Sequence, residues 1–467
     1  MSETTLSTGL STGLFDRTLR RIGSLWRNVS GANGESESTE TQMRACLEGR
    51  GGEVSARSRA ARLAETYLQQ DADGRIEFLR RLGSFDSDPQ AVADVFAGIA
   101  AAPDAASRAA AMAALRQAVE SPRLRLLSQF TAIPDGMKFL VDMRALLITV
   151  SRDDQLLAAV DSDLRGLLAS WFDLGFLELR RIDWSSPASL LEKLVAYEAV
   201  HAIRSWSDLK NRLDSDRRCY AFFHPRMPDE PLIFVEVALV QGLAGSVQAL
   251  LDQQAPVLDP SRADTAIFYS ISNCQRGLAG ISFGNFLIKR VVGLLAAEFS
   301  DIKTFATLSP VPGFRAWLDP LLAAGDPTLL TEEEAIALIA AGPQAADSIA
   351  INGTAALATM LAPRGETPMV DAVLERLCAR FLLAETTPRH PKRAPDPVAH
   401  FHLSNGARIE RINVRGDVSK KGQRESAGLM VNYLYDPDRI EEYHEDYTGE
   451  GKRHASTDIR RLARGWV

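Results

Sequence analysis

The pattern of apolar and polar positions divides the chain into a helical part and a part of mixed structure. Between about residue 55 and residue 190, apolar residues recur at i, i+3, i+4 and i+7, as in SRAARLAETYLQQ and PQAVADVFAGIAAA. Ala, Leu, Arg and Glu dominate this stretch, and these residue types favour helix. Pro103, Pro122 and Pro134 fall between the periodic stretches, where helices end. The pattern therefore predicts a helical bundle.

After Trp184 the pattern changes to short runs of β-branched and aromatic residues with turn signals between them. The runs are CYAFFHP, PLIFVEVALV, AIFYSISN, KTFATLSP, HFHLSNGARIERINV and GLMVNYLY. Helical periodicity returns over Phe283–Glu298, Glu332–Ala341, Asp347–Leu361 and Met369–Leu383. We interpret this part as a mixed α/β domain with a helical insertion between about Trp317 and Leu383. The proline-rich segment from Thr386 to Pro397 returns the chain to the sheet.

The N-terminal segment differs from both parts. Residues 1–45 are rich in Ser, Thr and Gly, but apolar residues recur at helical spacing between Leu14 and Trp26, with arginines interspersed. Such a helix either targets the chain or binds a partner, or it packs on the body of its own or a neighbouring subunit. We therefore divide the chain into a tail (1–45) with a short amphipathic helix, a helical domain (46–187) and a mixed domain (188–467).

Composition narrows the class of protein. Hydrophobic residues make up 46% and charged residues 24%, which is ordinary for a globular protein. The net charge of −7 gives no indication of a nucleic-acid partner, and no apolar run approaches the roughly 20 residues of a membrane span. The cysteines are scattered and the seven histidines lack zinc-ligand spacing. We expect a cytoplasmic protein with reduced thiols and no metal, nucleic-acid or membrane partner.

A glycine-bearing turn is the first candidate for chemistry. Gly277-Leu-Ala-Gly280-Ile-Ser-Phe-Gly284 lies between a predicted strand and a predicted helix, with Lys289 and Arg290 nearby. Backbone N–H groups at the positive end of a helix dipole suit a pyrophosphate, although a glycine-lined tight turn without a ligand fits the motif equally well. No Gly-Lys-Ser/Thr follows the glycines, so the turn is not a Walker A loop.

Polar side chains at the ends of later strands are the second candidate. Ser309 precedes Pro310 in a corner of the form Thr-Leu-Ser-Pro-Val-Pro-Gly, which can hold a hydroxyl rigidly or simply stop the strand. His400 and His402 are predicted to share one face at the start of a strand. They fit a metal pair without a visible third ligand, a general acid with a bystander, or two histidines without function. A later strand end offers Asn432, Tyr433 and Tyr435.

At these residues the sequence resembles the malonyl-CoA decarboxylase family in its bacterial form. The resemblance covers roughly Tyr220 to Tyr435, and the preceding helical region fits in size and character. The segments that carry it are FFHPRMPDEPLIFVEVAL, AIFYSISNCQRGLAGISFGNFLIKRVV, TLSPVPGFRAWL, FHLSNGARIERINVRGDVSKKG and GLMVNYLY. These segments are long, ordered and unlike common motifs.

The resemblance implies an α+β fold with two domains: an all-α oligomerisation domain, then a GNAT (N-acetyltransferase-like) catalytic domain with a helical insertion. It implies catalytic roles for Ser309 and His402, and a further active-site position at Tyr435. Thr307, two residues before Ser309 on the same strand face, is a second candidate for the hydroxyl role, and His400 lies outside the matched motif. The CoA pyrophosphate is expected on a strand–turn–helix formed by Ala279, Gly280, Ile281, Ser282, Phe283, Gly284 and Asn285.

The implied reaction converts malonyl-CoA to acetyl-CoA and CO2 without a cofactor, in a homo-oligomer such as a tetramer built as a dimer of dimers. Two alternatives stay open, an acyl-CoA-dependent N-acyltransferase and a non-catalytic CoA-binding scaffold. Animal members of the family end in Ser-Lys-Leu, whereas this chain ends in Arg-Gly-Trp-Val, so peroxisomal import is not expected.

Overall fold

A computed structural model gives the fold and describes residues 38–48, 52–281, 287–341, 352–361 and 367–466. The predicted helix between Leu14 and Trp26 lies outside these residues. Within them, eight helices precede the first strand, as the periodicity predicts. They are α1 (Thr39–Glu48), α2 (Glu53–Gln69), α3 (Ala72–Gly83), α4 (Pro89–Ala101), α5 (Ala105–Ala118), α6 (Pro122–Gln129), α7 (Gly136–Val150) and α8 (Gln155–Trp171).

Side-chain caps fix where several of these helices begin. Asp71, Asp88, Asp104 and Asp154 each precede a helix and accept hydrogen bonds from backbone N–H groups of its first turn. Such a cap satisfies donors that have no partner inside the helix. Asp154, for example, accepts from the backbone N–H groups of Leu156 and Leu157 at the start of α8.

The sheet has eight strands in the order β1-β2-β3-β4-β5-β8-β6, with β7 paired to β8. Among the strands that the structure describes, β4 and β5 pair in parallel and the other pairs are antiparallel. The strands are β1 (Glu178–Ile182), β2 (Arg217–His224), β3 (Met227–Val240), β4 (Thr265–Asn273), β5 (Thr304–Thr307), β6 (Ser309–Pro310), β7 (Arg408–Asn413) and β8 (Met430–Leu434). β1 lies before residue 188, where sequence analysis divides the chain, and it pairs with β2 along its whole length.

The parallel pair of β4 and β5 is short, and the sheet opens where this pairing ends. β5 pairs with β4 only as far as Thr307 opposite Phe268, whereas β4 continues to Asn273. On its other side β5 pairs with β8, through Ala306 opposite Leu434, and the chain then continues in β6, which pairs with β8. The two halves of the sheet therefore separate at the end of β5, which is where Ser309 lies.

Helices cover both faces of the sheet. They are α9 (Ala188–Tyr197), α10 (Trp206–Arg212), α11 (Val247–Leu250), α12 (Leu287–Glu298), α13 (Phe314–Ala324), α14 (Glu332–Ala341), α15 (Gly353–Met360), α16 (Pro368–Leu383), α17 (Pro397–Ser404), α18 (Lys420–Ser426), α19 (Ile440–Glu445) and α20 (Thr457–Leu462). The run α13–α16 is the predicted helical insertion. With the N-terminal helices and the mixed sheet it confirms the predicted fold class. None of the helices described is long and apolar enough to cross a membrane.

The prediction that His400 and His402 begin a strand is wrong. Both lie in α17, and the strand β7 begins only at Arg408. Asp396 caps α17 through its side chain, and Pro397 occupies the first helical position. An Asp-Pro pair of this kind starts a helix, and it outweighs the β-like alternation of the following residues.

One apolar core joins the helical part to the sheet. Leu79 and Leu140 from the helices belong to the same buried cluster as Val235 and Phe268 from the strands. Two smaller clusters lie on the other face of the sheet, under α9, α10 and α11. Because the main cluster is continuous, the helical part packs directly against the sheet and shares its core.

Candidate active site

Two hydroxyl groups meet where β5 passes into β6. Thr307 and Ser309 are two residues apart, so extended backbone turns both side chains to the same face. The Ser309 hydroxyl donates to Oγ1 of Thr307 at 2.9 Å. Ser309 is held in register by pairing with Val431 of β8. The structure thus confirms that the two hydroxyls share a face.

The histidine of α17 reaches this pair from the side. His402 Nε2 lies 2.9 Å from Ser309 Oγ, and Nδ1 lies 2.8 Å from the Tyr435 hydroxyl. Both distances are those of full hydrogen bonds. The three residues that the resemblance selects, Ser309, His402 and Tyr435, therefore form one continuous chain of hydrogen bonds, although 126 positions separate the first from the last in sequence.

The direction of the chain follows from the single hydroxyl proton of serine. Because Ser309 donates to Thr307, its oxygen accepts from His402 Nε2–H. Nδ1 then accepts from the Tyr435 hydroxyl. This arrangement places the imidazole proton on the nitrogen that faces Ser309, where a substrate group beside the serine could receive it.

Burial keeps the imidazole neutral. His402 is 2% exposed, and removal from water lowers its pKa from 6.5 to about 3. In the site without ligand, the imidazole is therefore uncharged near neutral pH. Burial also raises the pKa of the Tyr435 phenol well above 10, so the phenol stays protonated and able to donate.

Neighbouring residues fix the ring and the strand. The Tyr433 ring stacks on the His402 ring, with centroids 4.6 Å apart and planes 24° apart. Asn432, fully buried, donates from Nδ2 to the backbone carbonyl of Thr307 at 2.7 Å. Asp396 joins the start of α17 to the backbone N–H of Gly313 at 2.8 Å. The hydroxyls and the imidazole are thus held from both sides.

The side chains that the resemblance implies lie together in the structure, but part of what supports them was not predicted from the sequence. Asp396 was read only as the end of a loop, although an aspartate before a proline is a recognisable helix start. Tyr433 was noted near a strand end, but its stacking on a histidine 31 positions away leaves no local signal. Thr307 was ranked below Ser309, and the structure brings it into direct contact with that residue.

The predicted pyrophosphate turn is described as far as Ile281. Ala279 and Gly280 follow a short 3-10 turn at the end of β4, and Gly280 has a φ of +76°, which favours glycine. Ser282, Phe283, Gly284 and Asn285 lie outside the described residues. Of the two cations named with the turn, Lys289 pairs with Glu441 at 2.8 Å, while Arg290 is exposed.

His400 has a structural explanation. Its Nδ1 lies 2.8 Å from the hydroxyl of Tyr447, which in turn accepts from the backbone N–H of Ala394. The ring thus ties α17 to the C-terminal segment and makes no contact with Ser309. Within the described ranges, no group of three or more His, Cys, Asp or Glu side chains is placed to hold a metal ion.

Comparison with known proteins gives one consistent family. The Malonyl-CoA decarboxylase N-terminal domain profile matches residues 85–172, and the C-terminal domain profile matches residues 175–466. The mitochondrial malonyl-CoA decarboxylase of Mus musculus is 37% identical over 384 residues, covering 78% of this chain and 77% of the mouse protein. That of Anser anser anser is 39% identical over 334 residues, covering 68% of this chain and 64% of the goose protein.

Solved structures agree with the sequence matches. The malonyl-CoA decarboxylase of Agrobacterium vitis superposes with a TM-score of 0.79 at 39% identity, covering 91% of this chain and 99% of that one. The malonyl-CoA decarboxylase of Rhodopseudomonas palustris gives a TM-score of 0.78 at 40% identity, covering 91% and 100%. The predicted resemblance is confirmed: this chain belongs to the malonyl-CoA decarboxylase family.

Proposed function

We propose that the chain converts malonyl-CoA to acetyl-CoA and CO2, with Ser309 and His402 as its catalytic pair. The observation that carries the proposal is the 2.9 Å contact between Ser309 Oγ and His402 Nε2 in a site from which water is largely excluded. We infer the substrate from family membership, and we infer the roles of Ser309 and His402 from the contact between them. A dry site with fixed donors stabilises developing negative charge more strongly than water does.

The chemical step needs an electron sink and a proton. The bond between C2 and the malonyl carboxylate breaks, CO2 leaves, and the electron pair moves into an enolate whose charge lies largely on the thioester oxygen. Ser309 turns its hydroxyl from Thr307 to the carboxylate or to this oxygen and so orients the substrate. His402 Nε2–H gives its proton to C2, which forms acetyl-CoA, and the nitrogen regains a proton from solvent.

The neutral imidazole suits this role. The enolate carbon is a strong base, so it can take a proton from a donor weaker than imidazolium. A neutral histidine of lowered pKa is a known device for polarising a carbonyl oxygen in isomerisation through an enediolate. The Tyr435 hydroxyl, which donates to Nδ1, keeps the remaining proton on Nε2 and holds the ring in place.

The test is incubation of the purified protein with malonyl-CoA, without added metal or amine, while acetyl-CoA and CO2 are measured together. Equal amounts of both products are expected. His402→Asn and Ser309→Ala should each lower turnover by about 10²-fold or more while CoA binding persists. Consumption of malonyl-CoA only when an amine is added would favour the N-acyltransferase, and CoA binding without consumption would favour the scaffold.

Self-association belongs to the same proposal. Neither α4 nor α5 has a buried residue, although both helices are rich in apolar side chains. Phe96 is 66% exposed and Met112 is 39% exposed, so the hairpin of the two helices presents an apolar face. An exposed apolar face of this kind marks an interaction site. A homotetramer arranged as a dimer of dimers, with this hairpin in an interface, is the assembly that we propose.

Cofactor use and compartment complete the proposal. The mechanism above needs no metal, biotin or other cofactor, because the substrate carries its own leaving group and the protein supplies the proton.

All four cysteines are buried free thiols. Burial raises the pKa of each thiol, so none is a reactive thiolate. Reduced thiols fit the cytoplasm, which is the compartment that we propose.

A further inference from the structure

The hydroxyl of Thr307 lies where the pairing between β5 and β8 is interrupted. The two strands pair only through Ala306 and Leu434 among the residues that the structure describes. One residue earlier in β8, the backbone N–H of Tyr433 donates to Oγ1 of Thr307 at 3.2 Å, so it is bound by a side-chain oxygen in place of a strand carbonyl. The side chain of Thr307 therefore completes the hydrogen bonds of β8 at the corner between β5 and β6.

Both acceptor positions of this hydroxyl are occupied. Ser309 Oγ donates to Thr307 Oγ1 at 2.9 Å, and the N–H of Tyr433 is the second donor. A threonine hydroxyl has two acceptor positions and one proton. Within the described ranges, no hydrogen bond gives that proton an acceptor, although Thr307 is fully buried. A buried donor without an acceptor is unfavourable for the fold, so the proton of Thr307 is available for a ligand.

Thr307 also lies at the apex of the opening in the sheet. It is the last residue of β5 that pairs with β4, opposite Phe268, and beyond it the two strands separate. Its side chain shares a face with that of Ser309, which His402 contacts from α17. The hydroxyl with the unused proton is therefore next to the proposed catalytic pair and not in a remote part of the core.

We propose that Thr307 is a further catalytic residue, whose hydroxyl and that of Ser309 together bind the thioester oxygen on which the enolate charge develops. The inference rests on the proposed function, which supplies the malonyl thioester. Two hydroxyls 2.9 Å apart can both donate to one oxygen that lies about 2.7 Å from each of them. The Ser309 proton turns from Thr307 to that oxygen, whereas the Thr307 proton has no existing hydrogen bond to break.

The two hydroxyls stabilise charge and do not transfer a proton. As CO2 leaves, the electron pair of the bond between C2 and the carboxylate moves towards the thioester oxygen, and both hydroxyl protons stay on their own oxygens. His402 Nε2–H then protonates C2. Fixed donors directed at the atom where charge develops, in a site without bulk water, are usually the largest single contribution to catalysis. A second donor beside Ser309 therefore has a direct effect on the rate of decarboxylation.

Thr307→Val removes the hydroxyl and keeps the shape of the side chain. It should lower kcat about 10²- to 10³-fold, as expected for the loss of one donor to an oxyanion, and change KM less than about threefold. Thr307→Ser keeps the hydroxyl, so its kcat should stay within about fivefold of the wild type. If Thr307→Val does not fold, Thr307→Cys makes the same comparison, because a thiol is a weak donor.

Thr265→Val is the matched control on the same pair of strands. Thr265 is 1% exposed, and its hydroxyl donates to the carboxylate of Asp264 at 2.6 Å. It lies at the far end of the β4–β5 pair, opposite Thr304. This variant also removes a buried threonine hydroxyl, so it should lower the thermal midpoint while kcat stays as in the wild type.

A second substrate distinguishes a catalytic donor from a side chain that only supports β8. In the analogue of malonyl-CoA with sulfur in place of the thioester carbonyl oxygen, charge develops on an atom that accepts hydrogen bonds weakly. Thr307→Val should therefore lower kcat for this analogue less than about tenfold. Equal decreases in kcat for the two substrates would overturn the proposal, because a displaced Ser309 or His402 slows both. A normal kcat for malonyl-CoA in Thr307→Val would also overturn it.

The thioester carbonyl stretch of bound acetyl-CoA tests the same donor without turnover. Hydrogen bonds to the carbonyl oxygen lower its frequency, so the frequency should be higher in Thr307→Val than in wild type and unchanged in Thr265→Val. Wild-type protein that binds acetyl-CoA but does not form it from malonyl-CoA would contradict the proposed function, and the infrared comparison would still decide the role of Thr307. An unchanged frequency in Thr307→Val would overturn the proposal, and a protein that does not bind acetyl-CoA would overturn both.

Discussion

The Asp396 carboxylate accepts a hydrogen bond from the backbone N–H of Gly313 at 2.8 Å, and this contact joins the segments that carry Ser309 and His402. Its other oxygen accepts from two backbone N–H groups in the first turn of α17. Asp396 is fully buried, so these three backbone donors replace the hydrogen bonds that water would make to its carboxylate. One carboxylate thus sets the position of the histidine helix relative to the serine corner.

Replacing Asp396 should therefore disturb catalysis as well as stability. Asp396→Ala leaves three backbone donors without an acceptor, and it should lower the free energy of unfolding by about 1–3 kcal/mol. Because the Ser309–His402 distance depends on the contact, kcat should also fall at least about tenfold. Urea unfolding and steady-state kinetics measure the two effects.

Asp104 provides the matched control for Asp396. It caps α5 with a similar hydrogen bond, from Ser107 N, but lies on an exposed helix away from the site. Asp104→Ala should cost about 1 kcal/mol of stability at most and leave kcat unchanged. If Asp396→Ala keeps a normal kcat, the carboxylate is only a helix cap.

The neutral state of His402 should appear in the pH dependence of catalysis. Its pKa of about 3 in the site without substrate means that the imidazole stays uncharged throughout pH 5 to 8. The profile of kcat/KM reports the free enzyme, so it should show no inflection near 6.5 from this residue. A clear inflection near 6.5 that disappears in His402→Asn would show that the imidazolium is the catalytic form.

The same pKa predicts acid sensitivity of the fold. In the unfolded chain His402 becomes protonated below its ordinary pKa of 6.5. In the native site it stays neutral until the pH falls to about 3. Stability is therefore lost as the pH falls through this window. When the pH is lowered from 7 to 5.5, the free energy of unfolding measured in urea should fall by about 1 kcal/mol more for wild type than for His402→Asn. Equal losses would mean that the native site accepts the proton.

The apolar face of the α4–α5 hairpin should be needed for assembly. Phe96→Glu places a charge on that face, and burying an unpaired charge in an interface is costly. Sedimentation velocity at micromolar concentration should show a smaller species than the wild type forms. Phe176, 59% exposed and outside the hairpin, gives the control Phe176→Glu, which should leave the assembly intact. An unchanged assembly in Phe96→Glu would place the interface elsewhere.

Local pattern predicted much of the fold, whereas the choice of Ser309 and His402 as site residues came from the family resemblance. The helices of the insertion, β4 before the glycine turn and α12 after it follow from periodicity, and alternation correctly put Thr307 and Ser309 on one face. The strand predicted from alternation at His402 was wrong. A cap at Asp396 and a proline at the first helical position start a helix there, and they outweigh a few alternating residues.

Contacts between distant segments could not be predicted in this way. Arg144 and Gly277 are separated by 133 positions, and neither carries a local sign of the other. The pKa of His402 likewise depends on burial by several elements, which the sequence of α17 does not contain. Such properties arise only when the helical part and the sheet share one core.

The central claim is that Ser309 and His402 act as one unit, and a double-mutant cycle tests it most directly. Turnover of malonyl-CoA would be measured for wild type, Ser309→Ala, His402→Asn and the double variant. The account predicts that the double variant is no more than about threefold slower than the slower single variant, because either change alone disables the pair. If the fold-decreases in turnover of the two single variants multiply in the double variant, the account is contradicted, because the two residues then act independently.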